Sequence, residues 1–376
     1  MQSITTSAVA PDIVEDTVEG RDDQPSSASD VQASAEKKSP SDDTVQNQEP
    51  ERPGLRLLAV LAGVPAVLII MLLCFLTPSL NSGAENLPLA IGGPPRATEQ
   101  IASTLDARSP GSFETTTYAE PDQARQAVEN RDAIGAITVG ADGVTIITAS
   151  GAGTPYAQLL TSIGAGLEAA GQHVTYDDAA PMTAEDPTGV TIASLALPLA
   201  FGGNVSAILL MTLLRRNPRL RLLGSILMSI TSGLAITALL QFGFHTIDGG
   251  FWMTAGALSL GIVAISLTLI GAKDLFGFAG LGVAGFLLLF ISNPLSGIAT
   301  GPQWLPAPWG AIGQMMPIGA AGTAMRSAVF FDGAGAGQAV IVLICWAAAG
   351  LVMSALGDRM TAHRERKASE QKPAAV

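Results

Sequence analysis

Charge is what this sequence lacks. Asp, Glu, Lys and Arg make up 14% of its 376 residues, while 48% are hydrophobic; an average soluble domain carries roughly 25% charge. The shortage is concentrated in apolar runs long enough to cross a bilayer, which excludes a chain with one water-soluble core. Cysteine is scarce too. Cys74 and Cys345 both lie inside apolar runs, so no disulfide framework holds a folded domain and no redox compartment follows. The three histidines, His173, His245 and His363, are scattered, with no carboxylate or cysteine at metal-ligand spacing. A phosphate loop needs glycines before Lys and Ser or Thr. The one Lys followed by such a residue, Lys38, lacks the glycines of that motif. No nucleophile elbow and no HExxH pattern occurs. The expectation is a chain with no ATPase motif, no catalytic constellation, no metal and no cofactor.

What charge there is falls in blocks. Before Gly54 there are 12 acids and 4 bases, and from Thr77 to Thr188 there are 14 acids and 4 bases. The remainder holds 6 acids and 12 bases. The two segments expected to be soluble are therefore acidic, which argues against a nucleic-acid partner, since phosphate binding needs clustered Lys and Arg. Residues 1–53 are rich in Ser, Asp, Glu, Gln and Pro, too poor in large apolar residues to offset chain entropy. They read as a disordered acidic cytoplasmic tail.

Six apolar runs follow. The first, residues 55–76, is longer than a signal-peptide core and lies behind a long acidic segment, so it reads as an uncleaved span. Four more are Val190 to Leu214, Leu222 to Phe244, Phe251 to Ala272 and Leu275 to Ser292, and the last is roughly Gly335 to Leu356. No Asp, Glu, Lys or Arg falls within the last five, Arg56 stands at the start of the first, and a helix satisfies its own backbone in lipid. Basic residues set the orientation. Arg215, Arg216, Arg219 and Arg221 crowd the link after the second span, Lys273 follows the fourth, and Arg359, Arg364, Arg366, Lys367 and Lys372 follow the sixth. On the opposite face the loops between spans, 245–250 and 293–334, hold a single base, Arg326. The expected fold class is thus a polytopic α-helical membrane protein with six transmembrane helices. Both termini are cytoplasmic and an extracytoplasmic α/β domain, residues 77–188, lies between the first span and the second. Residues 190–356 form a five-helix membrane domain and residues 357–376 a basic cytoplasmic tail.

Within 77–188 the pattern alternates. Strands are expected at Asn86 to Gly92, Phe113 to Tyr118, Ile134 to Val139, Val144 to Ala149 and His173 to Tyr176. Helices are expected at Ala97 to Ala107, Pro121 to Asn130 and Thr154 to Ala170. The loop at 293–334 has five prolines and two tryptophans, followed by an apolar stretch interrupted by Pro317, Gly319 and Gly322. It reads as an outer re-entrant or interfacial segment, with Phe251, Trp252, Trp304 and Trp309 at the headgroup level. Gly280, Gly282 and Gly285 match a dinucleotide-binding spacing, but inside an apolar span they read as helix-packing positions. Asn204 and Gln241 are the polar candidates for a translocation path; local packing is the competing reading. Arg215, Arg216, Arg219 and Arg221 are candidate partner-docking residues or plain topology anchors.

The layout resembles the membrane subunits of type-2 ABC exporters, closest to the phage-infection-protein-like branch. The resemblance rests on YAEPDQARQAVENRDAIGAITV (118–139), LALPLAFGGN (195–204) and the Pro-rich segment 293–333, and covers most of residues 55–357. It implies a permease subunit in the bacterial plasma membrane, surrounded by the lipid bilayer, dimeric, and exporting an unidentified substrate with a separate ATP-binding subunit. One departure stands out. The link 215–221 is too short for a coupling helix at about 1.5 Å per residue. That feature favours the alternative, a non-transporting envelope scaffold or receptor whose outer domain binds a ligand, phage or protein.

Overall fold

The computed structural model describes residues 53–370. The acidic tail up to residue 52 and the last six residues, with Lys372, lie outside the described residues, so the expectation of a disordered tail is left aside. Among the described residues twelve α-helices and five strands alternate in two settings. Helix α1 (Pro53–Asn81) leads into β1 (Leu87–Gly92), α2 (Pro95–Arg108), β2 (Phe113–Tyr118), α3 (Pro121–Glu129), β3 (Ala136–Gly140), β4 (Gly143–Thr148), α4 (Thr154–Ala169) and β5 (Val174–Asp178). Every element expected from the 77–188 pattern is present, its ends moved by a residue or two.

The five strands form one sheet in the order β2-β1-β3-β4-β5. β1 pairs in parallel with β2 and β3, β3 and β4 are an antiparallel hairpin, and β5 adds in parallel to β4. β1 is an interior strand, and Leu87, Leu89, Ala90 and Ile91 are all buried, as a strand covered on both faces requires. The edge strand β2 reads FETTTY and is half-exposed. At the end of β1 the backbone must pass close to α3: a Cβ on Gly92 would sit 2.9 Å from Ala124 Cβ.

The chain re-enters the helical part through α5 (Val190–Ser194), whose free amides are capped by Asp186. Oδ1 accepts from Val190 N at 2.9 Å and Oδ2 from Thr191 N at 2.7 Å. There follow α6 (Ala196–Leu213), α7 (Pro218–Ala238), α8 (Phe251–Phe286), α9 (Ser292–Leu295), α10 (Trp309–Gln314), α11 (Pro317–Phe330) and α12 (Gly337–Glu370). Among the described residues five helical stretches are long and apolar enough to cross a membrane: Val60–Asn81, Val190–Leu213, Pro218–Gly243, Phe251–Leu295 and Gly337–Lys367. The chain is thus a helical protein of polytopic membrane character with a small sheet domain.

The stretch Phe251–Leu295 covers two of the expected runs. It is 45 residues long and is broken at Gly277, where φ is +71° and ψ is −154°. A Cβ on Gly285 would lie 3.9 Å from Leu269 Cδ2. Sixteen residues of straight helix would separate the two by about 24 Å, so the chain doubles back at Gly277.

Close helix crossings use small residues, as expected where lipid gives no hydrophobic drive between helices. Gly271 on α8 meets the backbone at Gly350 on α12, and Gly203 on α6 meets Ile265 on α8. Of the three glycines expected to serve packing, Gly280 and Gly285 do so, whereas a Cβ on Gly282 would meet nothing within 4 Å. Helix α1 differs from the rest, being exposed along most of its length, with Leu68 at 56% and Leu72 at 58%.

Candidate functional site

Segment 292–331 is neither a surface loop nor a span. α11 has only 14 residues, about 21 Å of helix, and nearly all of it is buried against α6, α8 and α12. The Trp346 indole N–H, ten positions into α12, donates to Met315 O at 2.8 Å. The α10–α11 turn therefore lies alongside α12, about 14 Å in from its first residue, and α11 climbs back toward the sheet domain. Ser292 Oγ accepts from Ile318 N at 3.3 Å, and Gln314 Nε2 donates to Ser296 O at 3.0 Å.

The upper end of α11 meets the sheet domain at two arginines, Arg326 buried and Arg131 half-buried. Arg326 is 4% exposed; its Nη1 donates to Gly151 O at 2.9 Å and its Nη2 to Ile298 O at 2.7 Å. One guanidinium thus holds the turn before α4 and the segment after α9 together. Arg131, which follows α3 with φ of +66°, reaches the other way. Its Nη1 donates to Ser327 Oγ at 2.5 Å and Thr323 O at 3.2 Å, and its guanidinium lies 5.1 Å from the Phe331 ring centroid. Phe330 packs against both hydrophobic cores, and Phe331 belongs to that of the sheet domain.

Tyr156 on α4 completes the joint. Its ring sits edge-on to Trp304 at 5.8 Å. Its hydroxyl donates to Gln303 Oε1 and accepts from Trp304 N, both at 3.1 Å. Gly301, at φ +95°, lies so close under the Tyr156 ring that no Cβ fits there.

No carboxylate pairs with Arg131 or Arg326 among the described residues. Burial pushes both guanidinium groups down to about 10, and the neighbouring Arg131 adds to the effect on Arg326. Both stay charged at neutral pH, solvated by carbonyls, a hydroxyl and a ring face. Burial pushes the Tyr156 phenol above its usual range, and Arg326 opposes the shift. No nucleophile–base pair is formed; the joint orients and holds.

A second buried cluster lies at the opposite end of the helices. Arg221 on α7 forms an ion pair with Asp274 on α8, both nearly fully buried. Ser354 Oγ on α12 donates to the same Asp274 Oδ2 at 2.7 Å, and Lys273 Nζ is 3.9 Å from Oδ1. Three helices are fastened by one carboxylate. The runs drawn from hydropathy stop just short of Arg221 and Asp274, yet both residues lie inside helices.

This alters the reading of the four candidate docking arginines. Arg215, Arg216 and Arg219 are exposed on the short link and first turn of α7, but Arg221 is occupied internally. The two path candidates are not brought together. Asn204 Nδ2 donates to Ala200 O of its own helix at 2.9 Å. Gln241 Nε2 donates to Gly249 O at 3.2 Å, closing the short loop before α8.

A cavity of about 680 Å³ opens between the end of α1, the start of α6 and the segment 293–305. Neither Asn204 nor Gln241 lines it. Of the expected interfacial aromatics, Trp252 is 77% exposed and Trp309 36%, whereas Trp304 is drawn into the joint and the cavity wall.

Missed in the sequence were Arg131, Tyr156, Asp274 and Ser354. The one signal available was Arg326, an isolated base in an otherwise apolar outer segment. Comparison with protein-family models, curated proteins and solved structures finds no match to this chain.

Proposed function

We propose that the chain is the membrane permease subunit of an ABC-type exporter, working with a separate ATP-binding subunit. On this reading Phe251–Leu295 is two spans joined at Gly277. Six spans then place both termini in the cytoplasm of a bacterium and the sheet domain outside. The observation that carries the reading is the joint itself. A sheet domain clamped by Arg131 and Arg326 to a re-entrant helix buried among the spans moves when that helix moves. A receptor domain needs only a tether. In this reading the Arg221–Asp274–Ser354 cluster holds the cytoplasmic ends of three spans as one body.

One observation favours the second reading, an envelope scaffold or receptor. Only Leu214 to Asn217 separate α6 from α7, which leaves no room for a separate coupling helix. Exposed Arg215, Arg216 and Arg219 are then the available contact for an ATP-binding partner.

The test is purification of the tagged native chain from its own membranes in mild detergent, beside a variant with Arg215, Arg216 and Arg219 all changed to Glu. Co-purification of an ATP-binding protein with the native chain but not the variant supports the permease. Its absence from both supports the scaffold. Labelling of single cysteines, with Cys74 and Cys345 replaced, separates loss of docking from inversion: Gln123→Cys reacts from outside, and Asn217→Cys only after permeabilisation.

A further inference from the structure

The cavity beside α1 has a chemistry that the joint does not explain. Along one wall Leu72, Phe75 and Leu76 of α1 face Leu197 of α6, and these side chains are 42–58% exposed. They open toward the surroundings of the spans, not into the sheet domain. Near the sheet-domain end the wall becomes polar, with Ser79, Ser82, Asn293 and Thr300. No charged side chain lines it.

Besides the exposed Ser79 hydroxyl, two donors at this end are unused. The Asn293 side-chain amide and the Trp304 indole N–H make no hydrogen bond to described residues, although both residues are only half-exposed. Other polar groups nearby are occupied: Ser296 Oγ donates to Asn293 O at 2.6 Å, and Thr300 Oγ1 to Gly301 O at 3.3 Å. An amide and an indole left unpaired beside apolar walls call for acceptor oxygens. The cavity volume lies within the roughly 300–1,000 Å³ common to ligand sites.

We propose that this cavity binds a diacyl membrane lipid. One acyl chain lies between α1 and α6, and its ester carbonyl accepts from Asn293 and Trp304. The charge-free lining leaves the headgroup outside and unread, so the site selects ester and chain over headgroup. The inference rests on the membrane placement of α1 and α6, not on transport or on an ATP-binding partner.

The test uses the full chain in nanodiscs of phosphatidylethanolamine and phosphatidylglycerol. These are doped with a phosphatidylcholine carrying a diazirine in one acyl chain, in diester and diether forms. Adducts are mapped by peptide mass spectrometry. For the native chain we expect diester adducts concentrated on Leu72–Leu76 and Ala193–Leu197, several-fold above the exposed face of α7 at Leu223 and Leu227. Ala193→Trp fills the cavity and lowers the cavity adducts at least fivefold while leaving those on α7 unchanged; the α7 signal reports that the variant is folded. Asn293→Ala lowers diester labelling to the diether level. Even labelling over all exposed apolar faces overturns the proposal, as does cavity labelling indifferent to Ala193→Trp or an equal response of diester and diether to Asn293→Ala. Failure of the permease reading leaves these adducts untouched, so the two failures are distinguishable.

Discussion

Arg326 allows opposing effects to be weighed at one atom group. Its guanidinium donates to two carbonyls, those of Gly151 and Ile298. Hydrogen bonds from a charged group contribute about 1.5–3 kcal/mol each, so the pair contributes about 3–6 kcal/mol. Against this stands the cost of burying the charge and of placing it beside Arg131. A fall from 12.5 to about 10 corresponds to roughly 3 kcal/mol at about 1.4 kcal/mol per unit. The net contribution is then only about 0–3 kcal/mol. Arg326→Met removes bonds and buried charge together, and should destabilise the chain by about 1–2 kcal/mol, mostly through the stranded carbonyls. Arg326→Lys keeps the buried charge, but a single ammonium lacks the planar fork that spans two carbonyls. It should cost more, about 2–4 kcal/mol. The unusual expectation is therefore that the conservative replacement is the worse one. Thermal unfolding of both variants in the same detergent, followed by loss of the monodisperse size-exclusion peak, gives the order. Hydrogen exchange adds location: amides at Ser150–Gly153 and the end of α11 should exchange faster, while those of β1 should not change. A lysine variant as stable as the native chain, or methionine worse than lysine, would refute the reasoning.

Three further outcomes follow from the same contacts. Asp274→Asn leaves the Arg221 guanidinium buried without a counter-charge and should lose about 3–5 kcal/mol; adding Arg221→Met should recover part of it, measured by a double-mutant cycle on thermal stability in detergent. The raised Tyr156 phenol means that above about pH 10 the unfolded chain releases its proton while the folded chain keeps it. More protons are bound in the folded state, so this group's contribution to stability falls as pH rises through that window. Tyr156→Phe should show a shallower alkaline decline than the native chain, in melts recorded between pH 9 and pH 11. Asp186→Ala removes the two-amide cap of α5 and should cost about 1 kcal/mol, with faster hydrogen exchange at Val190 and Thr191 but not in β4.

Hydropathy and period were enough to find the apolar helices and all eight elements of the sheet domain, because both are set by side chains a few positions apart. Four of the six expected runs each fall in one long apolar helical stretch and the other two share Phe251–Leu295, whose doubling back at Gly277 falls close to where the boundary between the fourth and fifth runs was drawn. What sequence reasoning could not reach is which charges are buried. Arg221 and Asp274 stand at the ends of apolar runs, where bases normally anchor topology, and nothing local says that they face each other.

The sequence by itself determined where the chain is oily, where it is acidic, and which segments become helix or strand, since these properties depend on near neighbours along the chain. Only the tertiary structure decided that Arg326 holds Gly151, 175 positions away, that Arg131 holds Ser327 across 196 positions, and that Asp274 gathers three helices. A buried charge persists only where distant groups replace the water it has lost, and the identity of those groups is a property of the fold.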